Sequence, residues 1–292
     1  MLSLCGTDEV VKNLYKVARL HAPSAGIETT DQLRLHYLRF LEARQPHAPV
    51  NWGDDVFVSD DAAEDKLRAA FCHGLLNDLD QADVFGDAYP DDVKQHKLDI
   101  ARVALARLLC LNNEVALAFG LTIHSLFVRA GKPTASSRGS HGGSSSAAIG
   151  TIWLTIEDSV RPIDIMEMYI HEMTHHLLFI DELTNAQFDY AEIAKPENFA
   201  RSAILKRNRP LDKVVHSIVV STEILAARRS YLGDNGETTI HPASEALARD
   251  TIAAAESVTQ LPNIDSLVTP HIRQLLTRCS EFCIHCAEAE VD

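Results

Sequence analysis

The sequence predicts a mainly α-helical protein, formally α+β, with one small β element. Two observations predict it: apolar residues recur at helical spacing along most of the chain, and a single short run reads clearly as strand. Val10, Leu14, Val17 and Leu20 mark a first helix, Leu33, Leu35, Leu38 and Leu41 a second, and Leu67, Ala70, Phe71, Leu75 and Leu79 a third. From Asp91 to Phe119 the period set by Ile100, Val103, Ala104, Leu108 and Leu111 predicts one long or kinked helix, with Gly120 as its stop. Thr134 to Gly150 holds six serines and four glycines, a flexible-loop composition that suits either a surface loop or a mobile lid. Ile149 to Ile156 is rich in β-branched residues and contains Trp153; it is the strand. Pro162 suits a helix first turn, so a helix follows over Ile163–Leu183. Further helices are predicted over Leu211–Leu232, Pro242–Val258 and from Asp265 onward, with a turn at Gly233–Gly236. The chain reads as one domain, 1–292: a helical N-terminal part (1–133), the Ser/Gly loop (134–150), a core (151–232) and C-terminal helices (240–292).

Composition narrows the function classes. The 292 residues carry 27 Lys and Arg against 41 Asp and Glu, a net charge of −14, which argues against nucleic acid as a partner because phosphate binding needs clustered cations. The best apolar stretch, Ile100 to Phe119, is interrupted by Arg102, Arg107 and Glu114, so no membrane span is expected. The first nine residues lack the basic and apolar regions of a signal peptide. The six cysteines, of which Cys5, Cys72 and Cys110 are isolated, do not resemble a secreted disulfide framework. A cytoplasmic protein is expected.

The chemistry concentrates in His171-Glu172-Met173-Thr174-His175, an H-E-x-x-H motif on the helix after the strand. Positions i and i+4 lie one above the other on a helix, so both imidazoles can reach one metal ion. His176 is turned by roughly 100° and is not expected to be a ligand. A catalytic ion needs a third protein ligand and open positions. The downstream helix offers His216 and Glu223, which share a face but are separated by about 10.5 Å of helical rise. They cannot both bind one ion, and the residues alone leave the choice open.

The segments Ile170–Leu178 and Arg209-Pro210-Leu211-Asp212-Lys213-Val214-Val215-His216 resemble the HExxH-type peptide β-hydroxylases, Fe(II)- and 2-oxoglutarate-dependent enzymes that modify ribosomally made peptides. The likeness covers about Ile152 to Leu232. It implies iron held by His171, His175 and His216, 2-oxoglutarate chelating the metal, and hydroxylation at a side-chain β-carbon of a peptide. An all-histidine set departs from the two-His-one-carboxylate facial triad, but it still leaves positions for a bidentate cofactor and O₂. The far carboxylate of 2-oxoglutarate needs a cation, and of Arg201, Arg207 and Arg209 the expected one is Arg209, since arginine pairs carboxylates bidentately.

The competing class is a zinc metallopeptidase, with Glu172 as general base and Glu223 as third ligand. In either enzyme the strand Ile149–Ile156 is expected to offer an edge to an extended peptide. A third class is a peptide-binding scaffold without turnover. Cys279, Cys283 and Cys286 fall on one helical face and read as a small core stripe, the alternative being an iron–sulfur or zinc site.

Overall fold

The computed structural model describes residues 2–71, 84–132, 141–234 and 238–288. Most of them are helical. The N-terminal part consists of α1 (Leu2–Cys5), α2 (Thr7–His21), α3 (Thr30–Arg44), α4 (Asp61–Ala70), α5 (Asp91–Leu111) and α6 (Asn113–Thr122). There follow strands β1 (Ser125–Val128), β2 (Gly142–Gly143) and β3 (Thr151–Leu154), then α7 (Pro162–Glu182) and the short α8 (Tyr190–Ile193). A two-residue ribbon, β4 (Ala200–Arg201) and β5 (Asn208–Arg209), leads into α9 (Leu211–Ala227) and its π-helical extension Arg228–Leu232. The chain continues through α10 (Ser244–Thr259), α11 (Ile264–Leu267) and α12 (Pro270–Glu288). No helix among the described residues is long and apolar enough to cross a membrane.

Two predicted helices are divided. The stretch Asp91–Phe119 breaks at Asn112, whose backbone is extended (φ −149°, ψ 115°) and whose side chain caps the N–H groups of Glu114 and Val115. A good N-cap residue thus ends one helix and starts the next, and Gly120 lies inside α6 rather than after it. The last helix likewise separates at Val268–Thr269, where Val268 is extended and Pro270 opens α12. The third predicted helix runs as α4 to Ala70; its continuation through Leu79 lies outside the described residues.

The strand is shorter than Ile149–Ile156, and it is not an edge. β3 pairs in parallel with β1 on one side and antiparallel with β2 on the other. β1 is in turn bridged by Phe57, with Val58 N–H donating to Leu126 O and Leu126 N–H to Val56 O. The expectation of a free β3 edge for a peptide is therefore corrected. Part of the Ser/Gly segment causes this: residues 133–140 lie outside the described residues, but Gly142-Gly143 is a strand. A Cβ on Gly143 would stand 2.4 Å from Trp153 Nε1, so only glycine lets this backbone approach the buried indole. Gly150, at φ +88°, turns the chain into β3 against the ring of His124.

One large apolar cluster draws on residues from Leu2 to Cys279 and includes inward positions of α2, α5, α6, β1, β3, α7, α9 and α12. α7 packs between α5 and α9, and α9 also meets α10 and α12. Both α7 and α9 are buried nearly all round, so any polar group on them must find a partner inside the protein.

Candidate metal centre

α7 carries a polar stripe through this apolar interior. Asp164, Glu167, His171 and His175 recur three or four residues apart and so share one face. Asp164 caps the helix by accepting from Arg161 N–H (3.1 Å), and it also accepts from the backbone and hydroxyl of Thr239 (2.7 and 3.0 Å). One turn on, Glu167 accepts Nε and Nη2 of Arg228 at 2.6 and 2.9 Å and lies 3.0 Å from Nδ1 of His241. Burial alone would raise the Glu167 carboxyl, but the bonds from His241 and Arg228 outweigh it and hold it below the usual range.

The next two positions belong to the motif. Nε2 of His171 and Nε2 of His175 face each other at 3.3 Å. The outer nitrogen of each ring meets another imidazole: His171 Nδ1 lies 3.0 Å from His241 Nε2, and His175 Nδ1 lies 2.8 Å from His216 Nδ1. The rings of both outer pairs are stacked. Four imidazoles thus form a row, His241–His171–His175–His216. Burial holds His171 and His175 well below the ordinary histidine value, helped by the neighbouring rings. His216 is pushed down to about 3 by burial and by the positive charges of Lys213 and Arg209.

Glu172 stands beside the facing nitrogens, its Oε1 3.9 Å from His171 Nε2. It is buried, and its Oε2 has no hydrogen-bond partner among the described residues. Burial pushes its carboxyl up to about 8, against the opposing pull of a hydrogen bond with Ser144. Ser144 belongs to the Ser/Gly segment, which therefore reaches the motif.

These residues fit a divalent metal. His171, Glu172 and His175 present ligand atoms within 4.8 Å of one another. Two nitrogens about 2.0–2.1 Å from one ion stand about 2.9 Å apart at a right angle and about 3.4 Å apart at the tetrahedral angle, a range that includes the 3.3 Å found here. Neutral imidazoles are the form that ligates, and the orphaned Glu172 oxygen lacks a partner that a cation or a polarised water would supply. The fit does not choose between iron and zinc.

The other residues singled out from the sequence divide clearly. Arg209 is buried on β5, and its charge is felt at His216. Arg201 lies 3.7 Å from Asp250 on α10, so its charge is used elsewhere. Glu223 is not brought to the cluster: both carboxylate oxygens accept from Ser3 N–H, at 3.1 and 2.9 Å. His176 is neither exposed nor a ligand. Its Nδ1 accepts from Gly150 N–H (3.1 Å), so Nε2 carries the proton and donates to Thr151 O (3.0 Å), tying α7 to the start of β3. Cys279 and Cys283 are fully buried in apolar clusters on α12, and burial pushes their thiols up to about 12 and about 11. That is the core stripe.

Sequence reasoning missed Glu167, Arg228 and His241. A signal existed for the first: an acid four residues before His171, on a helix otherwise apolar in that region, needs a partner. Nothing local marked His241, 70 residues from His171. Compared with known protein families and with curated proteins, the chain matches none.

Proposed function

We propose that this chain is an Fe(II)- and 2-oxoglutarate-dependent enzyme that hydroxylates a side-chain β-carbon of a peptide, with His171, His175 and His216 as protein ligands. The observation that carries this reading is the row of imidazoles whose His216 end lies beside two cations, Arg209 and Lys213. His171 and His175 would hold the ion through their facing Nε2 atoms; His216 meets His175 at Nδ1, the nitrogen turned away from that pair, so its ring would have to turn to complete the set. With 2-oxoglutarate, bound iron supplies the oxygen activation that hydroxylating an unactivated C–H bond requires.

The chain's own residues would bind and orient. Arg209 and Lys213 bring positive charge to His216, Lys213 being paired with Asp212 at 3.1 Å, and an arginine there suits the far carboxylate of an anionic co-substrate. Glu172, beside Nε2 of His171 and hydrogen-bonded with Ser144, is placed to orient a bound peptide or co-substrate. Ser144 holds Glu172 from the Ser/Gly segment, which supports a covering role for that segment over the site. A ribosomally made peptide in the cytoplasm is the partner that goes with this chemistry, as does the resemblance to the peptide β-hydroxylases.

One observation favours a second reading, a zinc peptidase. Glu172 Oε2 is buried without a partner among the described residues, next to His171, where a general base for a metal-activated water is needed. Since Glu223 is engaged by Ser3, His216 would be the third ligand there too. Metal analysis of anaerobically purified protein, with 2-oxoglutarate turnover and peptide cleavage assayed in parallel, separates the two. Iron with succinate formation supports the hydroxylase; zinc with peptide cleavage and indifference to 2-oxoglutarate rejects it.

A further inference from the structure

The buried polar chain behind His171 has a direction. Glu167 is held as a carboxylate by two bonds from Arg228, so it can only accept. Its Oε2 lies 3.0 Å from His241 Nδ1, and that nitrogen must therefore carry a proton. Arg228 already supplies the positive charge that balances Glu167, so a neutral His241 satisfies the contact and its Nε2 is left with a lone pair. That Nε2 is 3.0 Å from His171 Nδ1, which must then be the N–H donor. The proton of His171 is thereby fixed on the outer nitrogen, and its bare Nε2 is the atom that faces His175 at 3.3 Å.

His241 is also fixed in place. Thr238 Oγ1 donates to its carbonyl (2.6 Å), Arg228 Nη1 donates to the carbonyl of the next residue, Pro242 (2.8 Å), and Asp164 accepts from Thr239. The acceptor for His171 is thus anchored to the first two turns of α7. Glu167 lies one turn before His171 on the same helix, yet it acts through an imidazole brought from far along the chain.

We infer that His241, anchored by Glu167 and Arg228, is a positioning residue that sets the tautomer and ring orientation in which His171 offers Nε2 to the metal. Metal-bound histidines commonly donate their other N–H to a carboxylate or carbonyl; here an imidazole is interposed and relays the carboxylate's pull without a negative charge touching the ligand. The inference rests on the reading of His171 as a ligand, and it holds for iron or zinc alike.

The test compares wild type with His241→Phe, His241→Gln and His171→Ala. Zn(II) affinity is measured by competition with a chromophoric chelator, and histidine tautomers are read from ¹⁵N NMR spectra of the metal-free proteins. His171→Ala should abolish tight Zn(II) binding. His241→Phe should weaken it about 10–100-fold and move His171 away from the Nδ1–H tautomer. His241→Gln, whose side-chain oxygen can accept from His171, should recover most of both. Wild-type-like affinity in His241→Phe, a His171 tautomer unchanged by the substitution, or equal loss in the Phe and Gln variants would overturn the inference. The wild-type spectrum tests it without any variant, because a His171 proton on Nε2 also overturns it. If His171→Ala binds Zn(II) as wild type does, the ligand reading itself fails and the inference falls with it.

Discussion

Among the described residues, α7 and α12 both carry metal-type ligands at helical spacing, and α7 alone of the two sets them among polar partners. On α7, His171 and His175 sit four residues apart; on α12, Cys279, Cys283 and Cys286 occupy i, i+4 and i+7. The imidazoles are partly accessible, face each other through Nε2, and meet His241 and His216 at their outer nitrogens, His241 being held in turn by Glu167. The first two thiols are sealed among apolar side chains, their polar contact being Thr222, which lies 3.7 Å from Cys283. Spacing aligns ligands in both cases. What sets the candidate site apart from the core stripe is its polar neighbours, together with a buried oxygen of Glu172 that has no partner among the described residues.

The comparison breaks most directly at the metal. Replacing His175 or His216 by Ala should abolish stoichiometric metal binding, measured by elemental analysis after reconstitution. The triple change Cys279→Ala, Cys283→Ala, Cys286→Ala should leave the metal content as in wild type. Glu223→Gln should also leave it unchanged, because that carboxylate serves Ser3. Metal lost from the cysteine variant and kept by the histidine ones would invert the account.

Next in size is Glu172→Gln, with metal retained. Loss of a general base costs about 10²–10⁴ in rate, so a hydrolase would lose nearly all peptide cleavage. In the hydroxylase the Fe(II)-loaded variant should still convert 2-oxoglutarate to succinate at a measurable rate. Complete loss of succinate formation alongside intact iron would count against the role given to Glu172 here.

The two regions should also limit stability at opposite ends of the pH scale. Burial lowers His124 to about 4 and His176 to about 3, from an ordinary 6.5. Below pH 6.5 the unfolded chain therefore takes up protons that the folded protein refuses. Stability should fall as pH drops toward 4, each histidine adding a slope approaching about 1.4 kcal/mol per pH unit. The buried thiols work the other way. Their values of about 12 and about 11 exceed the ordinary 9.0, so above pH 9 the unfolded chain loses protons that the folded state keeps, and stability falls as pH rises. Urea unfolding of metal-free protein from pH 5 to 10.5 checks both limbs, and the double change Cys279→Ala, Cys283→Ala should make the alkaline one shallower, buried tyrosines such as Tyr37 supplying the rest, and leave the acid one unchanged.

The smallest effects lie within the stripe. Cys279→Ala removes a fully buried sulfur and should cost about 1 kcal/mol, read from the denaturation midpoint. Cys286→Ser, at a half-exposed position, should stay within about 0.5 kcal/mol of wild type.

The legible features were those that repeat within one helix or strand. The boundaries of α7 came within a residue of expectation because Pro162 and the apolar period act locally, and the pairing of His171 with His175 follows from 3.6 residues per turn. The β run at Thr151–Leu154 was legible for the same reason, through its β-branched residues. Asn112 also carries a local signal, an N-cap residue in the middle of an apolar period that continues on both sides of it. The antiparallel partner of β3 could not be read, since it is a Gly-Gly strand that has no strand propensity and is set by contact with Trp153. The choice between His216 and Glu223 was equally closed to local reasoning: both lie on one face of α9, and only the packing of α9 between α7 and the N-terminal segment brings one to His175 and the other to Ser3. His241 is the clearest case. Periodicity specifies neighbours three or four residues apart, whereas the contacts of His171 with His241 and of His175 with His216 span 70 and 41 residues, distances over which helix packing and buried hydrogen bonds alone determine who meets whom.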